Sequence, residues 1–385
     1  MNYILNILLG STIVITMTYY FSSTNKTLKN YKRHIERFGH KFEDFTVTTE
    51  DGYILSLWHL VPDFQVNKEK VVFLQPGFAA LGICYFGLGE KSLPYLLQEK
   101  GYDVWIGNNR GSPPSKKHVS KNPKKSNGDY WDFSMDDFVK YDIVSEIDYI
   151  KKYTGAQKVD FIGYSEGSTL FLMLYMDNPK FVESSINKFV SIGTVPNLSD
   201  IPISITETIE KGLYYSKIKE PFSKIFDISD SARTALITTV ENDPSNLYNR
   251  FINQGVITSK SNYKGLLFFL SFYPASTSIY NLYQWEEIQD SKKLVYYKPN
   301  SDEFNENKEY NYSVIKNWKI RSLITRSKKD SFSSYNEVTK LYQNIENKNL
   351  ITLFDTDFAH LDYGMAESAY EEFCIPLISF LEKKD

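Results

Sequence analysis

Val159-Asp160-Phe161-Ile162-Gly163-Tyr164-Ser165-Glu166-Gly167-Ser168-Thr169-Leu170-Phe171-Leu172-Met173-Leu174-Tyr175 is the stretch on which the fold turns. An apolar run leads into glycine, serine and glycine, and the second apolar run reads as a buried helix. Glycines two residues to either side of the serine permit a sharp turn with strand and helix closely packed. Such a turn lifts the Ser165 hydroxyl to the top of a sheet. It also aims the Glu166 amide N–H at the place where negative charge would develop on a reacting carbonyl. The five-residue pattern alone recurs by chance; the strand before it and the helix after it give it meaning.

A nucleophilic serine in this setting marks the α/β-hydrolase architecture, whose partners follow along the chain in the order Ser, Asp or Glu, His. Of five histidines only His360 follows Ser165. It lies in Asp357-Phe358-Ala359-His360-Leu361-Asp362, just past the β-rich residues 350–354, where a strand-end loop would carry a general base. For the carboxylate that orients the imidazole we expect Asp330, in a loop beyond the apolar residues 320–325. It precedes His360 by one helix and one strand. Asp355, Asp357 and Asp362 stand beside His360 in sequence, but carboxylates so near in the chain seldom reach the far side of the same ring.

The bulk numbers exclude several classes. A chain of 385 residues suits one large α/β domain with an insertion. The net charge of −3 and the scattered lysines leave no nucleic-acid footprint. With 29 Tyr and 26 Phe, a greasy substrate would find aromatic residues to line its pocket. Cys84 and Cys374 sit in apolar runs and read as buried free thiols. The sequence has no C-x-x-C pair, H-E-x-x-H or P-loop, so no metal or organic cofactor is implied.

Residues 3–21 are nineteen uncharged positions rich in Ile and Leu, long enough to cross a bilayer core. No Lys or Arg precedes Lys26, and Tyr19-Tyr20-Phe21 stands where signal cleavage wants small residues. Residues 1–22 are therefore expected to be an uncleaved, single-pass N-terminal transmembrane helix. Lys26, Lys29, Lys32 and Arg33 on its C-terminal flank favour a cytoplasmic domain. The sequons at Asn25, Asn197 and Asn311 suit a lumenal one. An endomembrane, secretory-route or lipid-droplet surface is the expected location.

Around the elbow the chain alternates. Phe45-Thr46-Val47-Thr48-Thr49, the turn Glu50-Asp51-Gly52 and Tyr53-Ile54-Leu55-Ser56-Leu57-Trp58 predict a β-hairpin. Val71-Val72-Phe73-Leu74 and Tyr102-Asp103-Val104-Trp105-Ile106 predict strands, and residues 138–153 a helix. A mostly parallel sheet with helices on both faces follows. Residues 198–310 break this rhythm with helical segments and aromatic-rich patches. We expect them to form a helical cap inserted between core residues 30–197 and 311–385.

These residues resemble the acid lipases: the lysosomal and gastric lipases and the fungal steryl-ester hydrolases. The similarity runs from about residue 30 to the C-terminus. It is carried by Val47-Thr48-Thr49-Glu50-Asp51-Gly52-Tyr53-Ile54-Leu55 and by Gly101-Tyr102-Asp103-Val104-Trp105-Ile106-Gly107-Asn108-Asn109-Arg110-Gly111. Lys140-Tyr141-Asp142, Pro274-Ala275-Ser276-Thr277-Ser278 with Trp285, and His360-Leu361-Asp362 add to it. The resemblance implies Ser165 as nucleophile, Asp330 as orienting acid and His360 as base. It implies an oxyanion hole from the backbone N–H groups of Phe78 and Glu166, and a neutral-lipid ester as substrate, met at a membrane or lipid-droplet surface.

Two departures stand out. Pro76-Gly77-Phe78 replaces the family's His-Gly-Leu, and Glu166 replaces a glutamine, placing a carboxyl beside the oxyanion. Glu166 must then point away into a hydrogen bond or be partly protonated. An acyltransferase or thioesterase on the same fold, and a catalytically silent lipid-binding or scaffold protein, are the alternatives.

Overall fold

The computed structural model describes residues 25–125, 128–198, 200, 224–297 and 308–383. Its strands are β1 (Lys41–Thr48), β2 (Tyr53–Val61), β3 (Val71–Gln75), β4 (Asp103–Ile106), β5 (Lys117–His118), β6 (Val159–Tyr164), β7 (Ile186–Ile192), β8 (Lys224–Ile225), β9 (Thr277–Ser278), β10 (Arg321–Ser327) and β11 (Ile351–Thr356). Nine of them form one sheet in the order β1-β2-β4-β3-β6-β7-β10-β11, with β5 attached to β2. The run from β4 to β11 is parallel. β1, β2 and β5 make the antiparallel end, with the predicted hairpin in register Val47↔Leu55.

The apolar runs explain the centre of this sheet. Every residue of β3, β4 and β6 is buried, as strands covered on both faces must be. Successive side chains divide between two cores, Val71 and Phe73 of β3 on one side, Val72 and Leu74 on the other. Ile143, Ile147 and Ile150 of the helix Ile143–Thr154 close the first core. Leu97 of Leu93–Glu99 and Leu377 of Ile375–Glu382 close the second.

Residues flanking Lys26, Lys29, Lys32 and Arg33 form a helix, Asn25–Glu36, with Tyr31 and Ile35 buried. Tyr31 packs on Trp58 and on Phe272, ring centroids 5.3 and 5.4 Å away. Among the described side chains, Tyr31 and Ile35, four apart, are the buried apolar positions of that helix, and such a pair does not stand out among the charges. The helix predicted at 138–153 starts earlier, at Met135–Asp137 behind a Ser134/Asp137 capping box. It passes through a π turn at Phe138–Asp142 before becoming α-helical.

Arg110 and Asp142 form a buried ion pair, each side chain 1% exposed. Arg110 Nε and Nη2 donate to Asp142 Oδ1 at 2.8 and 2.6 Å, and the Arg110 backbone N–H donates to Oδ2. Nη1 reaches Asp51 Oδ2 at 2.5 Å. The guanidinium also lies 4.0 Å from the centre of the Tyr53 ring. The hairpin turn, the loop after β4 and the helix before the elbow are thereby tied together.

Between β7 and β10 the chain leaves the sheet and forms the helices Asp230–Asn242, Pro244–Asn253, Tyr263–Leu270 and Ile279–Ser291. Residues 199, 201–223 and 298–307 of the expected cap lie outside the described residues. Among the described residues no helix is long and apolar enough to cross a membrane. The apolar residues 3–21, expected to span one, lie outside them.

Replacing Arg110 by Leu would leave Asp142 buried and unpaired. We expect a loss of about 3–5 kcal/mol in urea unfolding, with much of it restored in the Arg110→Leu/Asp142→Leu double variant.

Candidate active site

Ser165 sits between β6 and the helix Glu166–Asp177 with φ 53° and ψ −120°, a conformation that non-glycine residues rarely hold. What allows it is the absence of side chains next door. A Cβ on Gly163 would lie 2.6 Å from the Ser168 nitrogen, and one on Gly167 only 2.3 Å from the Gln75 carbonyl oxygen. The Ser165 N–H donates to the Ile192 carbonyl at 2.8 Å, fixing the elbow to the end of β7. Glu166 opens the helix, so its N–H is a first-turn donor with no intrahelical carbonyl to bind. Pro76-Gly77-Phe78 leaves the neighbouring strand β3 beside it.

The structure brings Ser165, His360 and Asp330 together. His360 Nε2 is 2.8 Å from Ser165 Oγ. His360 Nδ1 is 3.0 and 2.9 Å from the two Asp330 carboxylate oxygens. Asp330 Oδ1 also accepts the backbone N–H groups of Phe332 and Ser333 at 2.9 and 2.8 Å, which keep the carboxylate facing the ring. Both Asp330 and His360 are buried. The other aspartates near the histidine have separate work: Asp355 pairs with Arg326, and Asp357 lies 4.0 Å from Lys329.

Asp362 does something the linear pattern does not reveal. It is fully buried, and its carboxylate accepts from the Ala359 N–H at 2.8 Å, closing the loop that carries His360. It also accepts from Thr258 Oγ1 at 2.7 Å, Ser261 Oγ at 2.6 Å and the Thr258 N–H. Those donors come from the excursion between β7 and β10. The signal available was His360-Leu361-Asp362 itself, but its partners are about a hundred residues away. Tyr164 adds a second brace, its hydroxyl donating to the His360 carbonyl at 2.6 Å.

The Glu166 side chain turns from the elbow into the protein, with no exposure to solvent. Trp285 Nε1 donates to its Oε2 at 2.7 Å, and Asn281 Nδ2 approaches Oε1 at 3.5 Å. Burial lifts the carboxyl to about 7, while these two donors pull the other way. Phe78 borders a small apolar cluster in which Ile225, Ile279 and Leu282 pack with Phe226, Tyr280 and Tyr283.

A strained serine at a strand–helix elbow, backed by a buried imidazole and carboxylate, is an arrangement able to transfer an acyl group. Comparison with known proteins agrees. The profile of the alpha/beta hydrolase fold matches residues 70–362, and that of a partial alpha/beta-hydrolase lipase region matches residues 31–86. Human lipase member K is 28% identical over 373 residues, covering 92% of this chain and 91% of its own. Human gastric triacylglycerol lipase is 29% identical over 283 residues, covering 70% and 69%. An esterase from Exiguobacterium antarcticum shares the fold at a TM-score of 0.52 and 14% identity, over 89% of this chain and all of its own. The chain belongs to the α/β-hydrolase family, as a carboxylic-ester hydrolase of its lipase branch.

Removing the Asp362 carboxylate would orphan several buried donors and loosen the His360 loop. Asp362→Ala should lower kcat on a soluble short-chain ester about 100-fold, with KM little changed. Asp362→Asn, which keeps an acceptor oxygen, should recover part of that rate while circular dichroism reports a native fold.

Proposed function

We propose that this protein hydrolyses carboxylic esters of neutral lipids, triglycerides or steryl esters, through an acyl-enzyme on Ser165. The observation that carries this reading is the continuous line from Ser165 Oγ through the His360 imidazole to Asp330, at 2.8 and 2.9 Å. As Oγ attacks the ester carbonyl, its proton passes to His360 Nε2, and Asp330 stabilises the imidazolium through Nδ1. The carbonyl oxygen, now an oxyanion, is held by the N–H groups of Phe78 and Glu166. In a protease such a donor is worth about 2.7–4 kcal/mol. Pro76 lacks an N–H, but the donor assigned to that loop is Phe78, two residues on.

Collapse of the tetrahedral adduct breaks the C–O bond to the alcohol, which leaves with the proton from His360. Water then repeats the sequence: His360 takes its proton, the hydroxide oxygen bonds to the acyl carbon, and the fatty acid departs as Oγ recovers its proton. The helices between β7 and β10 act as a cap, and the apolar cluster beside Phe78 suits a hydrocarbon chain. The apolar residues 3–21 serve as a membrane anchor that keeps the enzyme at the surface where its insoluble substrate collects. Naming of relatives as triacylglycerol lipases supports the substrate class.

Ser165→Ala should abolish labelling by a fluorophosphonate probe and cut ester hydrolysis by at least about 1,000-fold, with unfolding unchanged. Equal labelling of the variant would remove Ser165 from the mechanism. The full chain should pellet with membranes through an alkaline carbonate wash, whereas a chain lacking residues 1–22 should not. Release of the full chain by that wash would refute the anchor.

A further inference from the structure

The described groups that bond to the buried Glu166 carboxyl are an indole and an amide, Trp285 and Asn281 of the helix Ile279–Ser291. Among the described residues, a further titratable group that feels it is the half-buried Tyr273 phenol, whose pKa is raised by desolvation first and by the Glu166 charge second. None of the three is a cation that would offset a negative charge. The amide side adds an independent sign. Asn281 Oδ1 is buried and, among the described residues, has no hydrogen-bond partner, while its Nδ2 makes only the long 3.5 Å contact. Turning that amide over would present Oδ1 to Glu166 Oε1 instead. Such a contact needs a hydrogen on the carboxyl.

We infer that Glu166 is held as a neutral carboxylic acid, a positioning residue that docks the helix Ile279–Ser291 onto the elbow, and that its ionisation is what limits the enzyme on the alkaline side. The second half rests on the acyl-enzyme reading of Ser165. The physical reason is placement. The Glu166 N–H is an assigned oxyanion donor, so a charge on the same residue, in a low-dielectric interior, opposes the negative charge forming on the substrate. Neutral, the carboxyl still accepts from Trp285 and can donate to Asn281 Oδ1, without that field.

Linkage gives a readout that needs no catalysis. Burial raises the folded-state value from 4.5 to about 7, so the folded protein binds this proton more tightly than the unfolded one. The resulting stabilisation is complete below 4.5 and is lost as pH rises toward about 7. Asp136, which burial lifts to about 6, titrates in the same window, so wild type must be compared with E166Q.

The experiment measures urea-unfolding stability, and kcat/KM on a soluble p-nitrophenyl ester, from about pH 4 to about pH 9 in wild type, E166Q and W285F. In wild type both quantities should fall toward alkaline pH. In E166Q the Glu166 share of the stability loss should vanish, and the rate should hold up at high pH relative to the variant's own maximum. W285F removes a donor that favours the anion, so its alkaline limb should move upward; it also carries the test if E166Q does not fold. The inference is overturned if E166Q keeps the wild-type alkaline limb, or if the two proteins lose stability in parallel between 4.5 and about 7. Absence of fluorophosphonate labelling at Ser165 would instead sink the acyl-enzyme reading, and the stability comparison would still decide the protonation of Glu166.

Discussion

The backbone of one residue constrains everything else at this site. Ser165 at positive φ is a strained conformation, costing on the order of 1–3 kcal/mol, and persists only where its surroundings over-determine it. Here β6 is buried along its whole length, and the helix Glu166–Asp177 begins without an intervening loop. The glycines at 163 and 167 let strand, helix and the end of β3 meet at distances that no side chain would allow. The reward for the strain is a hydroxyl raised beside a first-turn amide.

The excursion between β7 and β10 bonds to the loops around Phe78, Ser165 and His360, three of the four segments that the proposed chemistry uses. The Ala275 N–H donates to the Ala79 carbonyl at 2.7 Å, next to Phe78. Trp285 donates to Glu166 at the elbow. Thr258 and Ser261 bind Asp362, and the Leu361 N–H donates to the Val256 carbonyl at 2.9 Å, beside His360. Arg233 in turn holds the carbonyls of Leu270, Tyr273 and Pro274 on the segment that leads to Ala275. Displacing these helices would therefore alter the reacting geometry as well as access to it. Charge is treated differently at three of the buried carboxyls: Asp142 is given a guanidinium, Asp330 an imidazole and two amides, and Glu166 an indole and an amide.

Much of this was legible in the linear chain where a local rule applies. Alternation wrote the hairpin, and unbroken apolar runs wrote β3, β4 and β6. Ser165 declared itself because strand, glycine, serine, glycine and helix are consecutive. His360 could be reached by order and elimination. Asp330 needed the further assumption that one helix and one strand separate acid from base, and its side chain lies on the imidazole. What failed were features without a local period. The docked helix Asn25–Glu36 shows Tyr31 and Ile35 as buried anchors amid charges among its described side chains, and the π turn at Phe138–Asp142 has no compositional mark. The roles of Asp362 and Trp285 depend on partners about a hundred residues away.

The sequence by itself determined the class of fold, the serine at the strand–helix elbow and the chain order of the histidine and aspartate that meet it, since these depend on nearest-neighbour sterics and on chain direction. It also raised the problem of Glu166, a carboxyl next to a proposed oxyanion donor, without resolving it. Only the tertiary structure decided where that carboxyl goes, what faces it, and how the excursion between β7 and β10 grips the loops around it. The reason is physical. A hydrogen bond or a desolvated charge takes its value from atoms that distant segments deliver, and no local pattern in the chain encodes that environment.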